Sequence, residues 1–219
     1  MRLSPSFDVR VTSTPFRTVA PVPSLTHPMH TFRSSLTAAI AVVVLAAGAN
    51  AQAATQAGSV AAPAGPDVGQ VAPDFTAPWA DGSGGRATPV TLSALRGKVV
   101  VVAFYPKDRT SGCTAELTKF RDENAKLFGE NVVVLPVSAD SISSHVSWAS
   151  EMKFPFALVS DPELKVADLY GSHAAGRPVA SRTVFVIGKD GKVVWREMKF
   201  NALNEEAYAS LASAVAKAR

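Results

Sequence analysis

The sequence predicts an α/β fold, with a mixed central sheet and helices on both of its faces. Two continuous apolar runs rich in valine, 99–105 and 132–137, are typical of strands buried on both faces. Segments with helical spacing of apolar residues follow them, which favours crossover connections. Near the end of the chain, two further apolar runs flank the turn 188–191, which predicts a β-hairpin and an antiparallel edge.

The predicted elements alternate in the order β, α, β, α, β, α, β-hairpin, α. The strands are expected at 99–105, 132–137, 156–159, 183–187 and 192–196. The helices are expected at 114–128, at 141–152, from Asp161-Pro162-Glu163 onward, and after an Asn204 cap. Gly129 and Asn131 are expected to end the first helix.

The N-terminal part differs in composition from the rest. Residues 1–28 are rich in Pro, Ser and Thr. Met29 is followed by a short segment that contains Arg33, then by an apolar run at 36–47, and then by small-residue sites up to position 53. This is the layout of a secretory signal peptide, and the apolar run is short for a membrane span. We expect an N-terminal extension plus signal peptide at 1–53, with Met29 as the true start; an uncleaved anchor is the alternative.

The remaining chain is expected to form one domain, 69–219, after a flexible linker at 54–68 that is rich in Ala, Gly and Pro. The leader predicts export, to a bacterial periplasm, with secretion or N-terminal anchoring as alternatives. The net charge of +4 lies largely in the leader, which holds four arginines and one aspartate. The domain has no basic stripe, and this argues against nucleic-acid binding.

The chain has a single cysteine, Cys113, within the stretch FYPKDRTSGCTAEL. It follows the carboxyl end of a predicted buried strand and lies in the first turn of a predicted helix, where the sites of open α/β sheets gather. Free backbone N–H groups and the helix dipole favour a thiolate there. In an exported protein, one thiol indicates reactivity or pairing between chains. The alternative is a small buried apolar residue, and the residues alone leave both open.

Pro106-x-x-x-Thr110-x-x-Cys113 resembles the active-site signature of peroxiredoxins, thiol peroxidases of the AhpC/TSA family with a thioredoxin-like fold. The longer string 104–116 is similar to the bacterioferritin-comigratory, or PrxQ-type, subgroup. Further matching blocks lie at 69–75, 92–98, 161–162, 170–171 and 182–187. The resemblance covers about 69–219. It implies a thioredoxin-like (peroxiredoxin) fold and thiol-dependent reduction of hydrogen peroxide or organic hydroperoxides.

The resemblance implies a role for each matching residue. Cys113 would be the peroxidatic thiolate, Thr110 would hydrogen-bond the peroxide, and Arg182 would stabilise the thiolate and the leaving oxygen. Backbone N–H groups at Gly112 and Cys113 would hold the other oxygen, and Pro106 would exclude water. The alternative for Arg182 is an ordinary surface arginine before a strand.

Three further positions bear on the mechanism. Glu116 either steers Arg182 and other loop groups or is a first-turn acid that suits the helix dipole. Position 111 is Ser where the subgroup commonly has Pro. Position 118 is Thr where many relatives carry a resolving cysteine. The resemblance therefore implies a one-cysteine cycle that needs an external thiol, such as a thioredoxin-like protein, a glutaredoxin or a small thiol. Cys113 of a second subunit is the other possible partner, in a monomer or homodimer.

Other chemistries have weaker support. His145 and His173 lie far apart in sequence and no carboxylate cluster has ligand spacing, so we expect no metal and no cofactor. The glycine-rich stretch 82–85 is expected to be a loop and not a phosphate cradle. A thioredoxin-type dithiol is excluded because a second cysteine is lacking. A non-catalytic binding or redox-sensing module remains the alternative; it would leave Thr110 and Arg182 dispensable.

Overall fold

The structure, a computed structural model, describes residues 64–219. Its helices are α1 (Ser111–Asp122), α2 (Asn124–Leu127), α3 (Ile142–Met152), α4 (Lys165–Leu169) and α5 (Glu205–Ala218). Its strands are β1 (Thr76–Ala77), β2 (Trp79–Asp81), β3 (Gly84–Gly85), β4 (Val90–Thr91), β5 (Val99–Phe104), β6 (Val132–Ser138), β7 (Leu158–Ser160), β8 (Thr183–Ile187) and β9 (Val193–Glu197). The predicted leader with its start at Met29, and the linker as far as residue 63, lie outside the described residues.

A seven-stranded sheet in the order β3-β2-β7-β6-β5-β8-β9 forms the centre of the fold. The three middle strands β5, β6 and β7 run parallel, while β2 and β8 pair antiparallel to their neighbours on either side. The hairpin of β8 and β9 makes one edge. Short strands β1 and β4 form a separate antiparallel pair. The sheet is therefore mixed, as the sequence predicts.

Strand β5 places apolar side chains on both faces of the sheet, so both faces must pack against other elements. All six of its residues are buried, and alternate side chains enter two different apolar clusters. One cluster also holds Phe120 of α1, Trp148 of α3 and Leu211 of α5. The other holds Val166 of α4. Helices therefore pack on both faces, which confirms the predicted architecture.

Two helix boundaries differ from the prediction. The helix expected at 114–128 begins earlier, at Ser111, and is interrupted at Glu123, whose backbone leaves the helical region (φ −106°, ψ 22°). The helix expected from Asp161 begins only at Lys165, because Leu164 adopts a left-handed conformation (φ 56°). Asp161 still serves this helix, since its carboxylate accepts a hydrogen bond from the Ala167 N–H at 2.9 Å.

The glycine-rich stretch 82–85 is a hairpin, so the prediction of a plain loop was wrong in part. Gly84 and Gly85 form β3, which pairs antiparallel with β2. The turn is closed by the Asp81 carboxylate, which accepts hydrogen bonds from the backbone N–H and the hydroxyl of Ser83. Strands of two or three residues carry too little apolar periodicity to be seen in a sequence.

Contacts with the domain begin at Ala64, ahead of the boundary predicted at Gly69. The Arg196 guanidinium donates to the carbonyls of Ala64 and Pro66 and forms an ion pair with Asp67. Gly65 has φ +68°, and a Cβ there would lie only 2.1 Å from the Tyr170 carbonyl oxygen. The last part of the predicted linker is thus attached to the domain. No helix among residues 64–219 is long and apolar enough to cross a membrane.

Candidate active site

Cys113 lies at the junction of β5 and α1. The chain leaves the sheet at Phe104, passes through a short loop, and enters α1 with Thr110 in an extended conformation as N-cap (φ −73°, ψ 148°). Cys113 is the third residue of the helix and is fully buried. The first backbone N–H groups of a helix have no partner within the helix, so this turn presents hydrogen-bond donors and a positive dipole end. The setting predicted from the sequence is confirmed.

The sheet brings Arg182 to the same place. Strand β8 pairs antiparallel with β5, and Thr183 is opposite Phe104. Arg182 directly precedes β8 and therefore lies beside the loop that carries Cys113. Its Nη2 donates to the Cys113 Sγ at 3.4 Å, although the two residues are 69 positions apart in sequence. Arg182 is thus not an ordinary surface arginine, since its side chain is four-fifths buried.

Gly112 allows this close approach. A Cβ added at position 112 would lie 3.0 Å from the Arg182 Nη2, tighter than nearly all real contacts of that kind. The guanidinium would have to move, and its hydrogen bond to the sulfur would change with it. The glycine before the cysteine therefore leaves room for Arg182 in its observed position.

Glu116 holds the other side of the guanidinium. It is fully buried one helical turn after Cys113, and its Oε2 accepts from the Arg182 Nη1. Its Oε1 has no hydrogen-bond partner among the described residues. Burial raises the pKa of Glu116 to about 7, although Arg182 acts in the opposite direction. Of the two interpretations of Glu116, the geometry supports the one in which it orients Arg182.

Arg182 stays protonated in this environment. Burial alone would lower the pKa of Arg182, but the neighbouring Glu116 and Cys113 outweigh it and raise that pKa above its usual value. The guanidinium is therefore a permanent cation at hydrogen-bond distance from the sulfur. A fixed positive charge in a water-poor site stabilises a thiolate more than the same charge does in water.

Thr110 and Pro106 lie on the accessible side of the site. The exposed Thr110 donates its hydroxyl to the Lys107 carbonyl at 3.0 Å, which leaves its oxygen free to accept. Pro106, Gly112 and Arg182 line one side of a groove of about 650 Å³. The remaining wall is partly apolar, with Met198, Phe200 and Leu203, and carries the cations Arg177 and Lys199. A small substrate can approach the Cys113 environment from this groove.

Sequence reasoning missed a buried polar cluster behind the loop. Asp108 accepts hydrogen bonds from the Tyr105 hydroxyl at 2.8 Å and the Ser144 hydroxyl at 2.7 Å, and contacts the ring of His145 at 3.0 Å. His145 lies on α3 and is fully buried. Asp108 belongs to the matching string 104–116, but His145 lies 37 residues further on and in no matching block, so the sequence carries no signal for their pairing.

No group of three or more potential metal ligands occurs within residues 64–219. His145 faces Asp108, and His173 faces a different carboxylate, Asp168, at 2.8 Å. Each histidine is therefore accounted for by a pairwise hydrogen bond.

Comparison with known proteins decides the family. The model of the AhpC/TSA family matches residues 68–196, which is more than half of the chain. This chain belongs to the AhpC/TSA family. It is a peroxiredoxin, a thiol-dependent peroxidase, and its sequence contains a single cysteine.

Individual relatives agree with this assignment. A bcp peroxiredoxin of Coxiella burnetii is 38% identical over 141 residues, covering 61% of this chain and 90% of the relative. Peroxiredoxin Bcp of Bacillus subtilis is 33% identical over 144 residues, covering 61% and 87%. The crystal structure of peroxidoxin BcpB from Mycobacterium tuberculosis superposes with a TM-score of 0.60 at 28% identity, covering 70% of this chain and 99% of that one. The crystal structure of a cysteine-to-serine mutant of Xylella fastidiosa PrxQ gives a TM-score of 0.58 at 27% identity, covering 70% and 98%. The thioredoxin-like fold is therefore confirmed.

Proposed function

We propose that this peroxiredoxin reduces hydroperoxides through Cys113 alone, in a cycle completed by an external thiol. The observation that carries the proposal is the contact between the Arg182 guanidinium and the sulfur of the chain's one cysteine, at 3.4 Å. The contact lies at a helix N-terminus next to an open groove. These features together favour a reactive thiolate over an inert buried thiol.

In the first step, the Cys113 thiolate attacks the terminal oxygen of a hydroperoxide. An S–O bond forms and the O–O bond breaks, so Cys113 becomes a sulfenic acid and the peroxide is reduced by two electrons. The departing oxygen leaves as hydroxide or alkoxide and takes a proton to give water or an alcohol. The peroxide proton stays with the oxygen that is transferred to sulfur.

Each neighbouring group has a part in this step. Arg182 stabilises both the thiolate and the negative charge that develops on the leaving oxygen. The Thr110 oxygen accepts a hydrogen bond from the peroxide while its hydroxyl continues to donate to the Lys107 carbonyl. The free N–H groups of the first helical turn, at Gly112 and Cys113, hold the peroxide oxygens. Pro106 limits the access of water from the groove.

In the second step, an external thiol attacks the sulfenic acid, forms a mixed disulfide with Cys113 and releases water. A second thiol then regenerates Cys113 and leaves as the oxidised dithiol product. A thioredoxin-like protein, a glutaredoxin or a small thiol could supply these electrons. The chain itself contains no other sulfhydryl.

A single-turnover experiment tests the proposal. Reduced residues 64–219 are mixed with one equivalent of hydrogen peroxide or an alkyl hydroperoxide, and the product is identified by mass spectrometry with a sulfenic-acid trap. We expect one sulfenic acid at Cys113 and its return to thiol on addition of dithiothreitol. Cys113→Ser is the unreactive control.

Two outcomes would contradict the proposal. Oxidation no faster than that of a free cysteine would remove the catalytic role of Cys113. A covalent dimer linked through Cys113, formed as the main product in the absence of external thiol, would show that a second subunit condenses with the sulfenic acid, leaving an intermolecular disulfide for an external thiol to reduce. Non-reducing electrophoresis of the same samples distinguishes this outcome.

We also propose that residues 1–53 direct export, so that the enzyme acts outside the cytoplasm. The composition of the leader supports this proposal. Sequencing the N-terminus of the protein isolated from its native source tests it: a start shortly after residue 53 is expected. Recovery of peptides from residues 1–28 would contradict a translation start at Met29.

A further inference from the structure

A buried histidine packs behind the loop that carries Thr110, and the peroxidase step as described does not use it. His145 is fully buried on α3. Its Nδ1 lies 3.0 Å from the Asp108 Oδ2, and its Nε2 lies 3.3 Å from the Val159 carbonyl oxygen. Both ring nitrogens therefore face oxygen atoms.

The protonation state of His145 follows from counting donors and acceptors. A backbone carbonyl can only accept. Asp108 also acts as an acceptor, since the hydroxyls of Tyr105 and Ser144 both donate to it. A neutral imidazole has one N–H and would leave a lone pair pointed at one of the two oxygens. Only the doubly protonated ring can donate to both oxygens. A buried polar group without a hydrogen-bond partner costs free energy, so this protonation state is favoured.

The remaining groups around the pair agree with a cation at His145. Asp140, from the loop after β6, accepts a hydrogen bond from the Asp108 backbone N–H at 2.8 Å and is a second carboxylate nearby. Burial alone would raise the pKa of Asp108, but the contacts with His145, Ser144 and Tyr105 together outweigh it, and that pKa lies below its usual value. Burial raises the pKa of Tyr105 well above its usual value, so the phenol stays neutral. On the side of β7, the group that faces the ring is the Val159 carbonyl.

The pair also anchors the active-site loop to α3. Asp108 lies two residues before Thr110, whose hydroxyl is bonded to the Lys107 carbonyl. Arg109, between Asp108 and Thr110, has a left-handed backbone (φ 61°). Its guanidinium donates to the Ser147 hydroxyl of α3 at 2.8 Å. A non-glycine residue in this region needs support from its surroundings. Movement of Asp108 would therefore move Thr110 relative to Cys113.

We propose that His145, held as an imidazolium by Asp108, is a positioning residue that fixes the loop of Thr110 in its reactive geometry. This inference rests on the proposed function of Cys113. Loss of the His145 proton would leave a lone pair facing an oxygen and loosen the loop. A loop loosened in this way should slow the reaction of Cys113 with peroxide.

Nitrogen-15 NMR of the imidazole rings tests the charge directly, without any activity. The spectrum of residues 64–219 at neutral pH should show both nitrogens of His145 protonated, and the signal should vanish in His145→Gln. The exposed His173 gives an internal comparison, because it also pairs with an aspartate but is open to water. A neutral His145 ring at neutral pH would overturn the proposal.

The kinetic test is the rate of Cys113 oxidation by hydrogen peroxide in single turnover. We expect His145→Gln to be roughly tenfold slower near neutral pH, since small displacements of reacting groups cost one to two orders of magnitude. Asp108→Asn, which keeps the shape but not the charge, should be slowed as well. The matched control His173→Gln should retain the wild-type rate.

The outcomes separate this inference from the proposed function. A rate in His145→Gln equal to that of wild type would overturn the positioning role, even with a charged ring. If the wild-type protein reacted no faster than a free thiol, the proposed function would fail, while the NMR result would still decide the charge of His145. Circular dichroism shows whether each variant remains folded.

Discussion

Two buried ionic pairs flank the active-site loop, and the pKa values of their carboxyl groups are shifted in opposite directions. In the pair of Glu116 and Arg182, one carboxylate oxygen has no partner among the described residues, and burial raises the pKa of Glu116 to about 7. In the pair of Asp108 and His145, both carboxylate oxygens accept hydrogen bonds and the pKa of Asp108 is lowered. Burial raises the pKa of both carboxyl groups. Around Asp108 the contacts with His145, Ser144 and Tyr105 outweigh burial, whereas the Arg182 contact does not outweigh the burial of Glu116.

The comparison separates two uses of a buried charge. The pair with the unmatched oxygen lies against the sulfur, where its cation acts on the reacting atoms. The fully matched pair lies behind the loop, where hydrogen bonds fix the backbone. Loss of Arg182 should therefore act mainly on reactivity, whereas loss of a partner from the second pair should reduce stability and slow the reaction through the displaced loop.

Arg182→Ala should give the largest effect. Without the guanidinium, the Cys113 thiolate and the departing oxygen lose their nearest positive charge, and the rate constant for peroxide should fall about 10²–10³-fold. Stopped-flow measurement of Cys113 oxidation checks this. Arg182→Lys keeps a charge but not the two-sided contact with Glu116 and Cys113, and should lie between wild type and Arg182→Ala. A rate equal to that of wild type in Arg182→Ala would assign the reactivity to the helix N-terminus alone.

Asp108→Asn should have the next largest effect, and it should appear in stability. Loss of hydrogen bonds to a charged group costs about 2 kcal/mol. Because the folded pKa of Asp108 is lowered, its contribution is present above the unfolded value of 3.8 and is lost as pH falls through the folded pKa. Urea unfolding at a series of pH values should show the variant and wild type converging in acid. Asp168→Asn, in the exposed pair with His173, is the matched control and should leave the free energy of unfolding nearly unchanged.

Glu116→Gln should give the smallest change at low pH, because glutamine has the same shape and can still accept from Arg182. The substitution should instead change how the stability of the folded protein depends on pH. Since the folded pKa of Glu116 is raised, its contribution is present below the unfolded value of 4.5 and is lost as pH rises through about 7. The thermal midpoint of wild type should fall over this range relative to that of the variant. A constant difference between the two proteins from pH 4.5 to 7 would show that Glu116 stays ionised.

The contrast between the two pairs also explains what the sequence could predict. The position of Cys113 rests on local patterns, a buried run followed by helical spacing, and these are visible along the chain. Arg182 was found through the order and spacing of motifs that resemble a family. The pairing of Asp108 with His145 depends on how α3 packs behind the loop, and no local pattern records it. Similarly, the start signal at Asp161 failed because Leu164 takes a left-handed turn before the helix.

Gly112 links the size of a side chain to the chemistry of the neighbouring sulfur. The added carbon of an alanine would contact the guanidinium and not the hydrophobic core. A larger side chain at position 112 should therefore change the reaction of Cys113 with peroxide more than it changes the stability of the fold. In a library that randomises residue 112, a screen for peroxide reactivity should thus be more restrictive than a screen for stability.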